Sequence, residues 1–183
     1  MSISALFIFT DGIEELEAIA PLDILRRSGI TCTSASQSNQ LSVTGRNQIS
    51  LIADCLLDEA LKNDYDLIVI PGGPGVRTLR KDLRVIQLIK KQAASGKTVA
   101  AICAAPTLLN DAGLLDNRSY TAHGTVADEL PEIITSAAVV VDRNIITSRG
   151  AGTAVEFGLK LAELLTNEKT AKEVSDSIHF QPS

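Results

Sequence analysis

TVAAICAAPTLL, residues Thr98–Leu109, decides how this chain folds. The apolar, β-like run TVAAIC stops at Cys103, and APTLLNDAGLL then reads as a helix, with Pro106 in the first turn and Gly113 closing it. A buried strand that passes straight into a helix is the repeating unit of a parallel α/β sheet. The corner itself holds a thiol. A cysteine there is either a small buried hydrophobe, as most are, or a side chain presented for chemistry.

The same alternation runs outward in both directions. ALFIF (Ala5–Phe9) reads as a strand followed by a helix from about Glu14 to Ser28, with Leu16, Ile19, Ala20 and Leu25 on one side. ITCTSAS (Ile30–Ser36) is a second strand, and Leu41 to Ile52 alternates around Gly45 as a small hairpin. DLIVIPGG is a buried strand that runs into a glycine turn, and Leu83 to Ser95 is a helix with Ile86, Ile89 and Ala93 on one face. AAVVVDRNIITS gives two strands around Asp142–Asn144. TAVEFGLKLAELL is a helix with Val155, Phe157, Leu161 and Leu164 near one stripe. A weak helix covers about Glu168 to Ser177, and HFQPS trails off. With no repeat or low-complexity linker, residues 1–183 are expected to form one α/β domain with a mostly parallel sheet covered on both faces.

Composition narrows the function. A net charge of −5, two Tyr, four Phe and no Trp give neither the basic footprint nor the stacking platforms of a nucleic-acid binder. No apolar run approaches the length of a membrane span, and no charged segment precedes an apolar one at the N-terminus, so a cytoplasmic location is expected. Three cysteines, Cys32, Cys55 and Cys103, make an unpaired set without close spacing, and there are two histidines. Neither a disulfide framework nor a zinc site is implied. GxGxxG and GxxxxGK[ST] are both absent, so no cofactor is expected.

TDG, PGG, CAA and SRGAG all follow strands, and ligands of open α/β sheets bind beyond the carboxyl ends of strands. Cys103 stands among these turns. At a helix N-terminus the unpaired N–H groups favour thiolate, and with those of the PGG turn they form a place for an oxyanion. The proton handlers on offer are Glu14, Glu15 and Glu17 after the first strand, and His123 in YTAHG. Each has a plainer reading: first-turn acids complement the helix dipole from solvent, and a histidine before a glycine sits on a surface loop. Arg26, Arg27 and Arg46 read first as solvated charges, and His179 lies in a tail expected to be frayed or to cover a neighbour.

Taken together, DGIEELEAIAPLDILRRSGI, IVIPGG, AAICAAPTLL and ITSRGAGTAVEFGLKLAELL resemble the DJ-one/ThiJ/PfpI superfamily nearly end to end. The match is closest to the DJ-one/YajL-like branch of Parkinson disease protein seven homologues. The resemblance implies a flavodoxin-like three-layer sandwich of the class I glutamine amidotransferase-like type, and a homodimer. It makes Cys103 the oxidation-sensitive nucleophile, Glu17 its buried, protonated partner and His123 the nearby histidine. Gly73 and Ala104 supply amides that face the site, with Gly72 in the same turn, and Arg46 and Arg27 lie near the pocket and dimer contact. The implied chemistry is cofactor-free and acts on small reactive carbonyls or their adducts, in the manner of a glyoxalase III or deglycase. A redox-sensing or protective role through Cys103 oxidation is the other reading. A peptidase is disfavoured, because Ala104 stands where the protease-like branch has a histidine.

Overall fold

Alternate side chains of β1 (Ser4–Phe9) enter different cores. Ala5, Phe7 and Phe9 join one buried apolar cluster, and Leu6 and Ile8 join another. A strand dry on both faces needs a layer of structure on each side. The computed structural model describes residues 3–181 and provides both layers.

The main sheet runs β5 (Cys55–Leu56), β2 (Thr31–Ser36), β1, β6 (Leu67–Ile70), β7 (Thr98–Ile102), β9 (Ile145–Ser148) and β8 (Val139–Asp142). Every pairing is parallel except β8 with β9. One face is covered by α1 (Glu15–Arg27), α6 (Ala154–Leu165) and α7 (Glu168–Ser177). The other carries α2 (Leu57–Ala60), α3 (Val76–Leu79), α4 (Leu83–Ala94) and α5 (Pro106–Asp111). The expected three-layer, flavodoxin-like α/β fold is what the chain adopts. β3 (Ser42–Thr44) and β4 (Ser50–Ile52) form the separate hairpin. Among the described residues, no helix is long and apolar enough to cross a membrane.

Two helices sit differently from their expected orientation. Leu16 is 60% exposed and Ile19 is 40% exposed, while α1 buries Ala18, Pro21, Leu22, Ile24 and Leu25 together with two acids, Glu15 and Glu17. In α6 the buried set is Ala154, Phe157, Gly158, Leu161 and Ala162, and Leu164 faces outward. The reason is close approach. A Cβ on Gly158 would lie 2.9 Å from the Pro21 Cα, so α6 approaches α1 closely at its small residues, with Phe157 and Leu161 of the expected stripe buried and Leu164 turned out. In the tail, Phe180 N–H donates to the Ser175 carbonyl at 3.0 Å, and residues 182 and 183 lie outside the described part.

The chain leaves β1 toward β2 on one side and later returns to place β6 on the other. That reversal opens a crevice at the carboxyl ends of β1 and β6, next to β7.

Candidate active site

Three strand ends converge at this crevice. β7 ends at Ile102 and delivers Cys103; β6 ends at Ile70 and delivers Gly72 and Gly73; β1 leads through a turn into α1 and delivers Glu17. Cys103 has φ +66°, a left-handed conformation that costs a non-glycine residue about 1–3 kcal/mol unless its surroundings hold it. They do. Its N–H donates to the Ser148 carbonyl at 2.9 Å, and its carbonyl accepts from His123 N–H at 2.8 Å. The side chain is thereby turned off the strand into a cavity of about 650 Å³, where it is 8% exposed.

Glu17 is 1% exposed. Its Oε2 accepts the Gly72 N–H at 2.9 Å, and its carboxyl is hydrogen-bonded to Cys103. Glu14 caps α1 by accepting the Glu17 N–H at 2.9 Å, which fixes the first turn and hence the direction of the Glu17 side chain. Gly72 has to be glycine: a Cβ there would lie 2.6 Å from both Cys103 Cβ and Glu17 Oε2. Its amide serves Glu17, not an oxyanion as expected. Gly73, at φ +92°, and Ala104 are the residues whose amides hydrogen-bond to the Cys103 sulfur.

Burial, and against it the hydrogen bond to Cys103, set the Glu17 carboxyl at about 7, with the Glu14 charge adding to the rise. Burial, the Glu17 charge and the Glu17 hydrogen bond push the Cys103 thiol up to about 12, while the Gly73 and Ala104 amides pull it down. A thiol lowered simply by a helix N-terminus is therefore not what the structure holds. Burial and mutual repulsion hold both acids above their ordinary values, so the pair favours holding one proton and one negative charge between them. Two of the three causes that raise Cys103 depend on an ionised Glu17. With the proton on Glu17, the charge repulsion vanishes and the hydrogen bond runs from carboxyl to sulfur.

His123 joins the same cavity from its loop. Thr125 N–H donates to its Nδ1 at 3.2 Å, which places the proton of a neutral ring on Nε2. The ring has no hydrogen bond to the sulfur among the described residues; the tie to Cys103 is through backbone. Arg46 also lines the cavity, and its charge draws Glu17 downward. Arg27 does not belong here. It sits in the last turn of α1, the opposite end from Glu17, paired with Asp23 at 2.7 Å beside Thr170 and Glu173 of α7. The helix that brings Glu17 in carries Arg27 away.

The DJ-1/PfpI family profile matches residues 3–164. The chain belongs to that family. It is 36% identical to Protein dj-1beta of Drosophila melanogaster over 97% of both chains. It is 38% identical to the glutathione-independent glyoxalase DJR-1.2 of Caenorhabditis elegans over 86% of both. The chain spans 38% and 45% of the length of two DJ-1 homologues of Arabidopsis thaliana, B and A. In structure it resembles the crystal structure of Drosophila melanogaster DJ-1beta, with a TM-score of 0.94, 34% identity and full coverage of both chains.

Several residues of this DJ-1/PfpI site are not apparent from the sequence reading. Glu14 and Glu15 are buried, not solvated. Glu15 accepts Asn47 N–H at 2.7 Å and the Asn47 side-chain amide at 2.9 Å, binding the β3–β4 hairpin to the start of α1. Thr107, Arg77, Arg80 and Glu129 also line the cavity. The pair Val76 and Leu79, three apart after Pro74–Gly75, was the available signal for α3, the helix that brings Arg77. Among the described residues, no three of His, Cys, Asp and Glu gather as a metal ion would need.

Proposed function

We propose that this protein is a cysteine-dependent enzyme acting on small reactive carbonyls, converting 1,2-dicarbonyl compounds such as methylglyoxal to 2-hydroxy acids. The observation that carries this reading is a Cys103 that opens on a cavity and is backed by the buried Glu17 carboxyl. The thiolate adds to the aldehyde carbon, and the C–S bond forms as the carbonyl electron pair moves to oxygen. The amides of Gly73 and Ala104, which face the sulfur, supply donors for that oxygen. Glu17 gives its proton to that oxygen and, now ionised, takes the proton from the former aldehyde carbon and returns it to the neighbouring carbon, while the hydroxyl proton passes to the neighbouring oxygen, with His123 as a second proton handler. The resulting thioester is cleaved by water, which releases the 2-hydroxy acid and restores the sulfur. One carbon is oxidised as its neighbour is reduced, so the sequence balances without a redox cofactor. The name glyoxalase borne by the Caenorhabditis elegans relative supports the reading.

Carbonyl adducts of amines and thiols are the wider substrate class, in a deglycase-like reaction. A second reading, sensing or protection through Cys103 oxidation, is favoured by the same amides facing the sulfur and by a related structure described as oxidised Toxoplasma gondii DJ-1. The acting unit is residues 1–183 as one domain, in a cytoplasmic homodimer. Lactate formation from methylglyoxal under reducing conditions, in wild type and Cys103→Ser, tests the enzyme reading. Turnover lost in Cys103→Ser supports it. Steady-state turnover absent from wild type, with Cys103 still oxidising readily, leaves the sensor.

A further inference from the structure

The cavity that opens on Cys103 is lined by three arginines, Arg46, Arg77 and Arg80, and by one carboxylate, Glu129. Their charges are not equally available. Arg80 Nη1 donates to Glu129 Oε2 at 2.7 Å, and its Nε and Nη2 donate to the Asp111 carboxylate at 2.6 and 2.9 Å. That guanidinium and both carboxylates are therefore spent on one another, joining α3's end to α5 and to the loop after His123. Arg46 and Arg77 have no carboxylate partner among the described residues. Arg46 is partly occupied, since its charge already acts on Glu17. Arg77 is exposed on the cavity wall with its five donors unclaimed by any acid.

A neutral dicarbonyl has no use for such cations. An anionic one does, because the singly charged Glu17–Cys103 pair would repel it, and unpaired guanidinium groups on the wall offset that repulsion. Guanidinium groups match carboxylates in shape as well as charge. The cavity, at about 650 Å³, holds more than a three-carbon compound.

We propose that Arg77, with Arg46, forms a carboxylate subsite in the Cys103 cavity, so that the preferred substrates are 1,2-dicarbonyl compounds carrying a carboxylate. The proposal rests on the carbonyl chemistry described above and narrows its substrate class. For 4,5-dioxopentanoate the balanced reaction adds one water: the aldehyde carbon becomes a carboxylate, the adjacent ketone becomes an alcohol, and the product is 2-hydroxyglutarate with release of one proton.

The test compares kcat/KM for 4,5-dioxopentanoate with that for its neutral methyl ester, in wild type and Arg77→Met. Wild type should favour the carboxylate, and Arg77→Met should reduce the preference about 3- to 10-fold, the range of one partly exposed charge pair. Raising the salt concentration should shrink the wild-type preference. A separate binding measurement uses Cys103→Ser titrated with 2-hydroxyglutarate, with and without Arg77→Met, and expects a comparable loss of affinity. Turnover of both compounds without preference for the carboxylate overturns the subsite and leaves the carbonyl chemistry standing. Arginine-dependent binding of 2-hydroxyglutarate without turnover of either compound keeps the subsite and overturns the enzyme reading. Neither preference nor binding overturns the subsite outright.

Discussion

The Glu17 carboxyl is hydrogen-bonded to the Cys103 sulfur while its Oε2 accepts the Gly72 amide at 2.9 Å. One carboxyl thus links α1, the turn after β6 and the corner after β7. It faces a sulfur that burial pushes away from ionisation, so where the single proton of the pair sits decides what the site can do.

Glu17→Gln keeps a side chain of the same shape with an N–H for the sulfur, but it cannot exchange a proton. Turnover of methylglyoxal is expected to fall by about 10²-fold or more. Thiolate absorbance and peroxide oxidation of Cys103 should persist, because neither needs a proton shuttle. Unchanged turnover would remove Glu17 from the chemistry.

The same residue ties stability to pH. Burial raises its folded-state value from 4.5 to about 7, so the folded state holds a proton that the unfolded state has released across that window. Its contribution is fully present below 4.5 and is lost as pH rises through about 7, by at most about 3 kcal/mol. Urea midpoints of wild type should therefore fall relative to Glu17→Gln as pH rises across the window. A constant difference would mean that Glu17 titrates alike in both states.

Gly72→Ala places a methyl 2.6 Å from Cys103 Cβ and Glu17 Oε2 and 2.8 Å from the Ile102 carbonyl. A loss of about 1–3 kcal/mol is expected, together with turnover, since the pair must move apart. Gly152→Ala meets nothing within 4 Å and should stay within about 0.5 kcal/mol of wild type. Thermal melts of the two variants give the comparison.

Limited labelling with iodoacetamide, followed by peptide mapping, should find Cys103 modified first. Cys32 is buried on the sheet away from the cavity, its thiol donating to the Ile30 carbonyl at 3.5 Å, and Cys55 lies half-buried on the edge strand β5. Of the three, Cys103 alone lines the cavity, and two amides, those of Gly73 and Ala104, are directed at its sulfur. Faster labelling of Cys55 would show that simple exposure governs reactivity here.

Light scattering should report a dimer, and Leu16→Lys with Ile52→Lys should shift it toward the 19.4 kDa monomer. Leu16 and Ile52 are 60% and 69% exposed, and Glu15 holds the hairpin that bears Ile49 and Ile52 against the start of α1. Apolar side chains so placed form a surface that a second copy can cover. An unaltered dimer in the double variant would put the contact elsewhere.

Much of the fold was legible because buried parallel strands announce themselves. ALFIF, LIVI and TVAAI are apolar without interruption, each is followed by a turn or cap residue, and their order implies the layers. The corner at Cys103 was legible for the same reason, since Pro106 marks the helix start one turn later. The short elements were not: α2, α3 and β5 span four, four and two residues, too few for a period to show.

Which face of a helix turns inward lay beyond the sequence. By pattern, Leu16 and Ile19 belonged inside and Glu14, Glu15 and Glu17 outside, and the structure reverses both. Local periodicity records only where apolar side chains fall around one helix, whereas burial is decided by what the neighbours offer. Here the Gly72 amide, the Asn47 and Ile49 amides and the Cys103 sulfur satisfy carboxyls that would otherwise be expensive to bury, and Gly158 draws α1 close along Pro21. The sequence by itself determined the strands, their order and the thiol at the corner. Only tertiary structure decided that Glu17 meets that thiol, that Arg27 ends far from it, and that Arg77 has no carboxylate partner among the described residues, because hydrogen bonds and charge pairs between distant segments exist only once the sheet has brought those segments together.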